Sequence, residues 1–328
     1  MKRFFFAFFA IFSLYACTPS DDLIELNKNE LLLGNGSSEL LTYTCLENSG
    51  GSITWTSSNS GIATVEDGLV VAVAPGSAVI TVKYRKATDK CRVTVVAVPQ
   101  GAVDMGTVMM REDGSSYLVF WAECNLGEKG FVSSPEQFGD YFAWGELEPH
   151  YSEGHSQDHP CVHWRGDYSD YGWTSYTLCN GDGHELNRYC PLGKEDYWGE
   201  EGDPDNKTEL SDYNYVDDAA RAILKDKWRI PTKEEWQCLI STCTWTWGTE
   251  NGVEGVKVVS PNGNSIFLPG TGFRSSTGFT NFKYCFYWSS SVVHSTPSSA
   301  TALFYTSSSY ELRFTGRCTG YTIRPVSE

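Results

Sequence analysis

Four histidines, His150, His155, His159 and His163, fall within 14 residues of one another, alongside Glu153, Asp158 and Cys161. Imidazole and thiolate are zinc ligands. The spacing fits no single helix face, however, and Cys161 is wanted for a disulfide, so a polar loop is expected. Asp203-Pro204-Asp205-Asn206, with Glu209, supplies the hard oxygen donors that calcium takes; a solvated acidic turn is expected there. Nucleophilic chemistry is poorly supplied. The chain has no Gly-x-Ser-x-Gly elbow and no Gly-x-x-x-x-Gly-Lys phosphate loop. No two cysteines have Cys-x-x-Cys spacing, which argues against a zinc ribbon or a thioredoxin-like redox site. The reading is therefore not an enzyme, with no catalytic residue, metal or cofactor.

A contact surface is the better expectation. Residues 99–258 carry 12 basic and 30 acidic side chains, whereas residues 259–328 carry five basic and two acidic ones, a net charge of +3. The closing stretch is also rich in Tyr, Phe, Ser and Thr. Tyr gives rigid contact area and Ser gives adaptable hydrogen bonds. His294, Tyr305, Tyr310, Arg313 and Arg317 are the candidate ligand contacts, while Trp288 and Arg324 are expected in the core.

The elements that position these residues follow from the whole chain. It has 328 residues, enough for two domains and a targeting segment. Hydrophobic residues make up 41%, sufficient for sizeable cores, and a net charge of −16 argues against a phosphate-backbone binder. Lys2 and Arg3 precede the apolar run Phe4 to Tyr15, which is too short to span a bilayer and right for a signal peptide over residues 1–16. Leu14-Tyr15-Ala16-Cys17 resembles a lipobox, which implies lipidation at Cys17. A linker at 17–22 follows, and its Asp21-Asp22 resembles the export signal of Bacteroidetes surface lipoproteins. That implies an outer-membrane protein facing the exterior, with the membrane touched only through the lipid.

Residues 23–98 read as short strands broken by Asn35-Gly36, Ser49-Gly50 and Pro75-Gly76, the pattern of a β-sandwich. Leu41, Tyr43 and Cys45 are expected on one face, and Cys91, Val93 and Val95 on another run. Cys45 and Cys91 share core-facing parity, so a disulfide between them is expected. Pro99-Gln100-Gly101 marks the boundary. In residues 99–328, strands are expected at Tyr117 to Cys124 and near Gly139 to Glu146, followed by long loops over 150–213. Asp217 to Trp228 has helical spacing. Thr232-Lys-Glu-Glu235 is a capping box before Trp236, Leu239 and Ile240. A hairpin at Pro261-Asn262-Gly263-Asn264 and four closing strands (284–289, 300–306, 310–314 and 320–326) complete an α+β layout. Cys285 and Cys318 flank neighbouring strands in this reading and are a second disulfide candidate.

Two resemblances sharpen this. Trp55-Thr-Ser-Ser-Asn59, Ile62-Ala-Thr-Val65, Gly76-Ser-Ala-Val-Ile-Thr81 and Val93-Thr-Val95 resemble the bacterial Ig-like group 2 domain, implying an all-β sandwich that acts as a spacer. Trp121-Ala-Glu-Cys-Asn-Leu-Gly127, Gly139-Asp-Tyr-Phe-Ala-Trp-Gly-Glu146, Trp228-Arg-Ile-Pro-Thr-Lys-Glu-Glu-Trp236, Tyr287-Trp-Ser-Ser-Ser291 and Gly320-Tyr-Thr-Ile-Arg-Pro-Val326 resemble the Fibrobacter succinogenes major paralogous domain. That resemblance implies a C-type-lectin-like α+β domain with long disulfide-held loops. Calcium-dependent lectins of that group carry Glu-Pro-Asn and Trp-Asn-Asp, where this chain has Glu148-Pro149-His150 and Trp288-Ser289-Ser290, so no lectin-type calcium site is implied. The expected function is an adhesin or ligand-binding lipoprotein recognising a glycan or protein on a host, polymer, phage or neighbouring cell. No nucleic acid is expected. The alternatives are a structural subunit of a surface or pilus-tip assembly and, further off, a formylglycine-generating-type oxidase.

Overall fold

The computed structural model describes residues 23–46, 51–150, 171–225, 227–275, 278–280 and 284–328. Cys17, His155, His159, Cys161 and His163, and the readings placed on them, lie outside the described residues.

The first unit is built from β1 (Leu23–Leu26), β2 (Glu30–Gly34), β3 (Ser38–Leu40), β4 (Tyr43–Leu46), β5 (Ile53–Ser57), β6 (Ala63–Glu66), β7 (Leu69–Ala72), β8 (Gly76–Tyr84) and β9 (Ala87–Val96). A four-stranded sheet in the order β2-β9-β8-β5 faces a three-stranded sheet, β3-β7-β6, while β1 pairs with β4. Strand alternation puts Cys91, Val93 and Val95 inward with Ile80, Val82, Leu31 and Leu33. This is an Ig-like β-sandwich. Tyr43 instead lies exposed and packs edge-on against Trp55, because the chain breaks between β3 and β4 and the alternation from Leu41 is lost.

The second unit contains β10 (Ala102–Met110), β11 (Ser116–Ala122), β12 (Leu126–Gly127), β13 (Gly130–Phe131), α1 (Ala219–Leu224), α2 (Lys233–Thr242), β14 (Thr244–Glu250), β15 (Val253–Val259), β16 (Ser265–Pro269), β17 (Phe273–Ser275), β18 (Gly278–Thr280), β19 (Cys285–Val292), β20 (Ser299–Tyr305), β21 (Tyr310–Gly316) and β22 (Val326–Ser327). Three three-stranded antiparallel sheets carry it: β10-β11-β22, β14-β15-β16 and β19-β20-β21. The expected strand over 320–326 is reduced to isolated bridges, Thr322 to Tyr287 and Gly320 to Arg274, before β22. The expected strand at Gly139 to Glu146 is likewise one bridge, Phe142 to Tyr321.

The α2 capping box forms as read: Thr232 Oγ1 accepts from Glu235 N, and Glu235 Oε2 accepts from Thr232 N at 2.8 Å. Glu235 also takes the Arg229 guanidinium in a bidentate pair at 2.8 and 2.6 Å, wholly inside the protein. Trp236 Nε1 donates to Trp288 O. The Arg-Ile-Pro-Thr-x-x-Glu-Trp string therefore ties the start of a helix to the closing sheet. Arg324 acts similarly, donating to Asn125 Oδ1 and to the carbonyls of Ala122, Glu123 and Phe267.

The expected disulfides require correction. Among the described residues no disulfide is formed. Cys45 packs against the core that holds Cys91, and the two are not joined in a disulfide. Cys285 pairs opposite Tyr305 at one end of the β19-β20-β21 sheet, whereas Cys318 lies just beyond Gly316, which pairs with Ser299 at the other end. The strand between those ends spans about 20 Å, far beyond disulfide reach. Burial raises the Cys91, Cys190 and Cys318 thiols to about 11 and Cys285 to about 12.

The described part of the long loops, 171–213, is held instead by carboxylates and rings. Asp205 accepts from Tyr189 N, Cys190 N, Lys207 N and Tyr213 Oη. Asp217 accepts from Arg188 and Tyr189 Oη.

Candidate functional site

The β19-β20-β21 sheet lies between two cores. Opposed residues share a face, so Tyr287, Leu303, Tyr305 and Leu312 point toward the core containing Trp236 and Leu239. Phe286, Trp288, Ala302 and Phe304 point toward the core containing Trp144 and Tyr321. Every residue of β19 is buried, and all of β20 after Ser299. β21 is the sheet's edge and is largely exposed. Of this sheet, β21 is therefore the strand that presents side chains to solvent.

Alternation places Tyr310, Leu312 and Phe314 on one face of β21. Leu312 packs inward. Tyr310 is 43% and Phe314 70% exposed. Trp245 of β14 stacks on Tyr310, with ring centroids 5.0 Å apart and planes 15° from parallel; its indole Nε1 donates to Leu239 O at the end of α2. Tyr310 and Phe314 are four residues apart, about 14 Å along the strand. The result is a solvent-exposed aromatic edge backed by the stacked Trp245 ring. Trp245 and Phe314 were missed from sequence, although the Tyr-x-Leu-x-Phe alternation of 310–314 carried the signal.

The five contact candidates do not converge. Tyr305 is buried and donates to the carbonyls of Leu268 at 2.9 Å and Pro269 at 2.7 Å; it anchors β16 rather than meeting a ligand. Arg317 is also buried, with its guanidinium 4.8 Å from the Trp144 ring, 5.4 Å from Tyr176 and 5.8 Å from Tyr189. It donates to Tyr176 Oη and to the carbonyls of Arg188, Tyr189 and Pro297. His294 is exposed, but in the turn at the far end of the sheet from Tyr310. Arg313 is exposed on the opposite face from Tyr310, 3.5 Å above the Phe304 ring and paired with Glu311 at 2.6 Å.

The expected cationic tail is also corrected. Arg274, Arg317 and Arg324 are buried, and Lys283 lies outside the described residues. Arg313 is the one exposed cation of 259–328 among the described residues, and Glu311 neutralises it. The face is aromatic, not basic.

The acidic turn at 203–209 does not gather carboxylates. Asp205 is engaged by backbone N–H groups, and Glu209 turns toward Ser290 Oγ at 2.9 Å. Burial raises the Glu209 carboxyl to about 7. His150 pairs with the buried Glu146 and stacks on Tyr171. Among the described residues no three His, Cys, Asp or Glu side chains are grouped to hold a metal ion.

Residues 23–95 match the family model of the bacterial Ig-like domain (group 2). No curated protein matches the chain. Among solved structures, the crystal structure of the S-layer protein SbsC domains 4 and 5 is 26% identical, covering 23% of this chain and 51% of that chain, with a TM-score of 0.21. SbsC domains 5-6 are 21% identical, covering 30% and 60%, with a TM-score of 0.22. SbsC domains 4-9 are 14% identical, covering 92% and 49%, also with a TM-score of 0.22. The chain thus spans roughly half of the length of the structures it matches.

Proposed function

We propose that this chain is a non-catalytic, lipid-anchored cell-surface protein whose C-terminal unit binds a glycan or a protein ligand through the exposed face of β21. In this reading Cys17 carries the lipid at the outer membrane, and the Ig-like sandwich carries a C-type-lectin-like unit outward. The observation that supports it best is the aromatic edge of Tyr310, Trp245 and Phe314, mounted on a sheet whose other strands are buried. Flat rings without competing charge suit the apolar faces of sugar rings and the side chains of a protein partner. The thiol environments argue against the oxidase alternative alone: burial raises Cys124, Cys179, Cys190, Cys238, Cys243, Cys285 and Cys318, which keeps them protonated and poor nucleophiles.

The test is a glycan and cell-surface protein array probed with the full chain and with Tyr310→Ala and Phe314→Ala. Saturable binding that weakens at least tenfold in both variants, at unchanged thermal stability, is expected. No saturable binding to any probe, or equal binding by both variants, would count against the proposal. The open outer edge of β21 favours a second reading, a subunit of a surface assembly joined by strand addition. Co-purification with stoichiometric partners from the cell envelope would distinguish it.

A further inference from the structure

The segment between the two units has the look of a linker, five residues (97–101) containing Pro99 and Gly101. It is bonded at both ends. Asn35 N donates to Val96 O, and Asn35 Oδ1 accepts from Val98 N at 2.8 Å. Ala102 N donates to Pro99 O, and Glu123 N donates to Gly101 O.

The closest junction lies beside it. β10 carries a bulge between Asp104 and Thr107, with Gly106 at φ +67°, a conformation that favours glycine. The bulge turns the Asp104 side chain out of the sheet toward the Ig-like unit. Its carboxylate is buried, with one oxygen accepting from Gly34 N at 2.8 Å and the other from Gly106 N at 2.8 Å. Its backbone carbonyl accepts from Asn262 Nδ2 and Asn264 Nδ2 at 2.8 and 2.9 Å. Asn264 Nδ2 also reaches Ser37 Oγ, at 3.4 Å, and Ser37 is itself buried. Gly34 has no room for a side chain: an added Cβ would stand 2.7 Å from Val98 Cγ2, 2.9 Å from Asp104 Oδ2 and 3.0 Å from the Phe120 ring.

We infer that the Ig-like unit is not a tethered spacer, and that a built joint centred on the Asp104 carboxylate and the Gly34 amide locks both units into one rigid arm. A buried carboxylate whose donors come from both sides is costly to separate, since parting the units strips the Gly34 bond from a group shaped to receive it. β10 and α2 then continue the rigid path, because Met105, Trp236, Leu239 and Leu312 share one core beneath β21. The arm fixes the orientation of the β21 face relative to the Ig-like unit. This inference does not depend on what, if anything, that face binds.

The experiment uses the full chain, with calorimetric unfolding and thermolysin cleavage within 97–101 as readouts. The wild type is expected to unfold in one transition and to resist cleavage. Asp104→Ala is expected to split the transition in two and to speed linker cleavage at least tenfold. Asp104→Asn, which keeps one acceptor oxygen, is expected to fall between them. Gly34→Ala approaches the same joint from the other unit and should reproduce the split if Asp104→Ala fails to fold. Two separate transitions in the wild type would overturn the inference. So would a single transition and unchanged cleavage in both Asp104→Ala and Gly34→Ala.

Discussion

Replacing Glu235 by Gln isolates the charge that anchors the start of α2. The side chain keeps its size, and its amide oxygen can still accept from Thr232 N. The amide nitrogen, however, now faces the Arg229 guanidinium, donor against donor. Arg229 and Glu235 side chains are only 4% and 0% exposed, so the guanidinium cannot turn to water. Stripping one partner from a buried ion pair costs about 3–5 kcal/mol. Arg229 retains Glu328 at 2.9 Å, which is partly exposed and compensates in part, so about 3 kcal/mol is expected. For a unit of this size each kcal/mol lowers the Tm by about 2–4 °C, giving a fall of about 6–12 °C by circular dichroism at pH 7. The double variant Arg229→Met with Glu235→Leu removes both charges of the pair and should lose less than the sum of the two single variants, by about 2 kcal/mol or more. A Glu235→Gln shift below 2 °C, or strict additivity in the cycle, would refute the reasoning.

Three further outcomes are expected. Burial raises Glu209 from 4.5 to about 7 and Asp218 from 3.8 to about 6. The folded state therefore holds protons that the unfolded chain gives up, and these groups favour folding most below about pH 4 and lose that advantage as pH rises toward 7. Urea midpoints between pH 4 and 8 should decline less steeply in Glu209→Gln than in the wild type, the difference reaching at most about 3 kcal/mol; equal slopes would count against it. Tyr305→Phe should cost about 1–2 kcal/mol by removing the hydroxyl's bonds to the Leu268 and Pro269 carbonyls while leaving any ligand binding unchanged. Tyr310→Ala should do the reverse, and the two are separated by paired melting and binding curves. Iodoacetamide at pH 8 should label Cys285 at least a hundredfold more slowly in the folded than in the urea-unfolded chain, because so little thiolate exists at a thiol raised to about 12; comparable rates would remove the burial argument.

Local chemistry was legible without coordinates. The Thr232 to Glu235 capping box, the turn at 261–264 and the alternation that buries Cys91, Val93 and Val95 depend on neighbours within a few residues, and the chain states them directly. Strand order is a different kind of quantity. Tyr305 and Tyr310 are the same residue type five positions apart and lie opposite each other in adjacent strands, yet one is sealed in the core and the other is exposed. Arg313 and Arg317 differ in the same way. Nothing within a short window says that β20 is central and β21 an edge, because that follows from which distant segments cover each side. The cysteines show the same limit, since the reading of neighbouring strands allowed a Cys285–Cys318 pair that a sheet about 20 Å long keeps apart. The chain by itself determined where the caps, the turns and most of the strands form, through short-range sterics and periodicity, though not the expected strands at 139–146 and 320–326. Only tertiary packing decided which rings and cations remain in contact with water, because burial is set by neighbours far away in sequence.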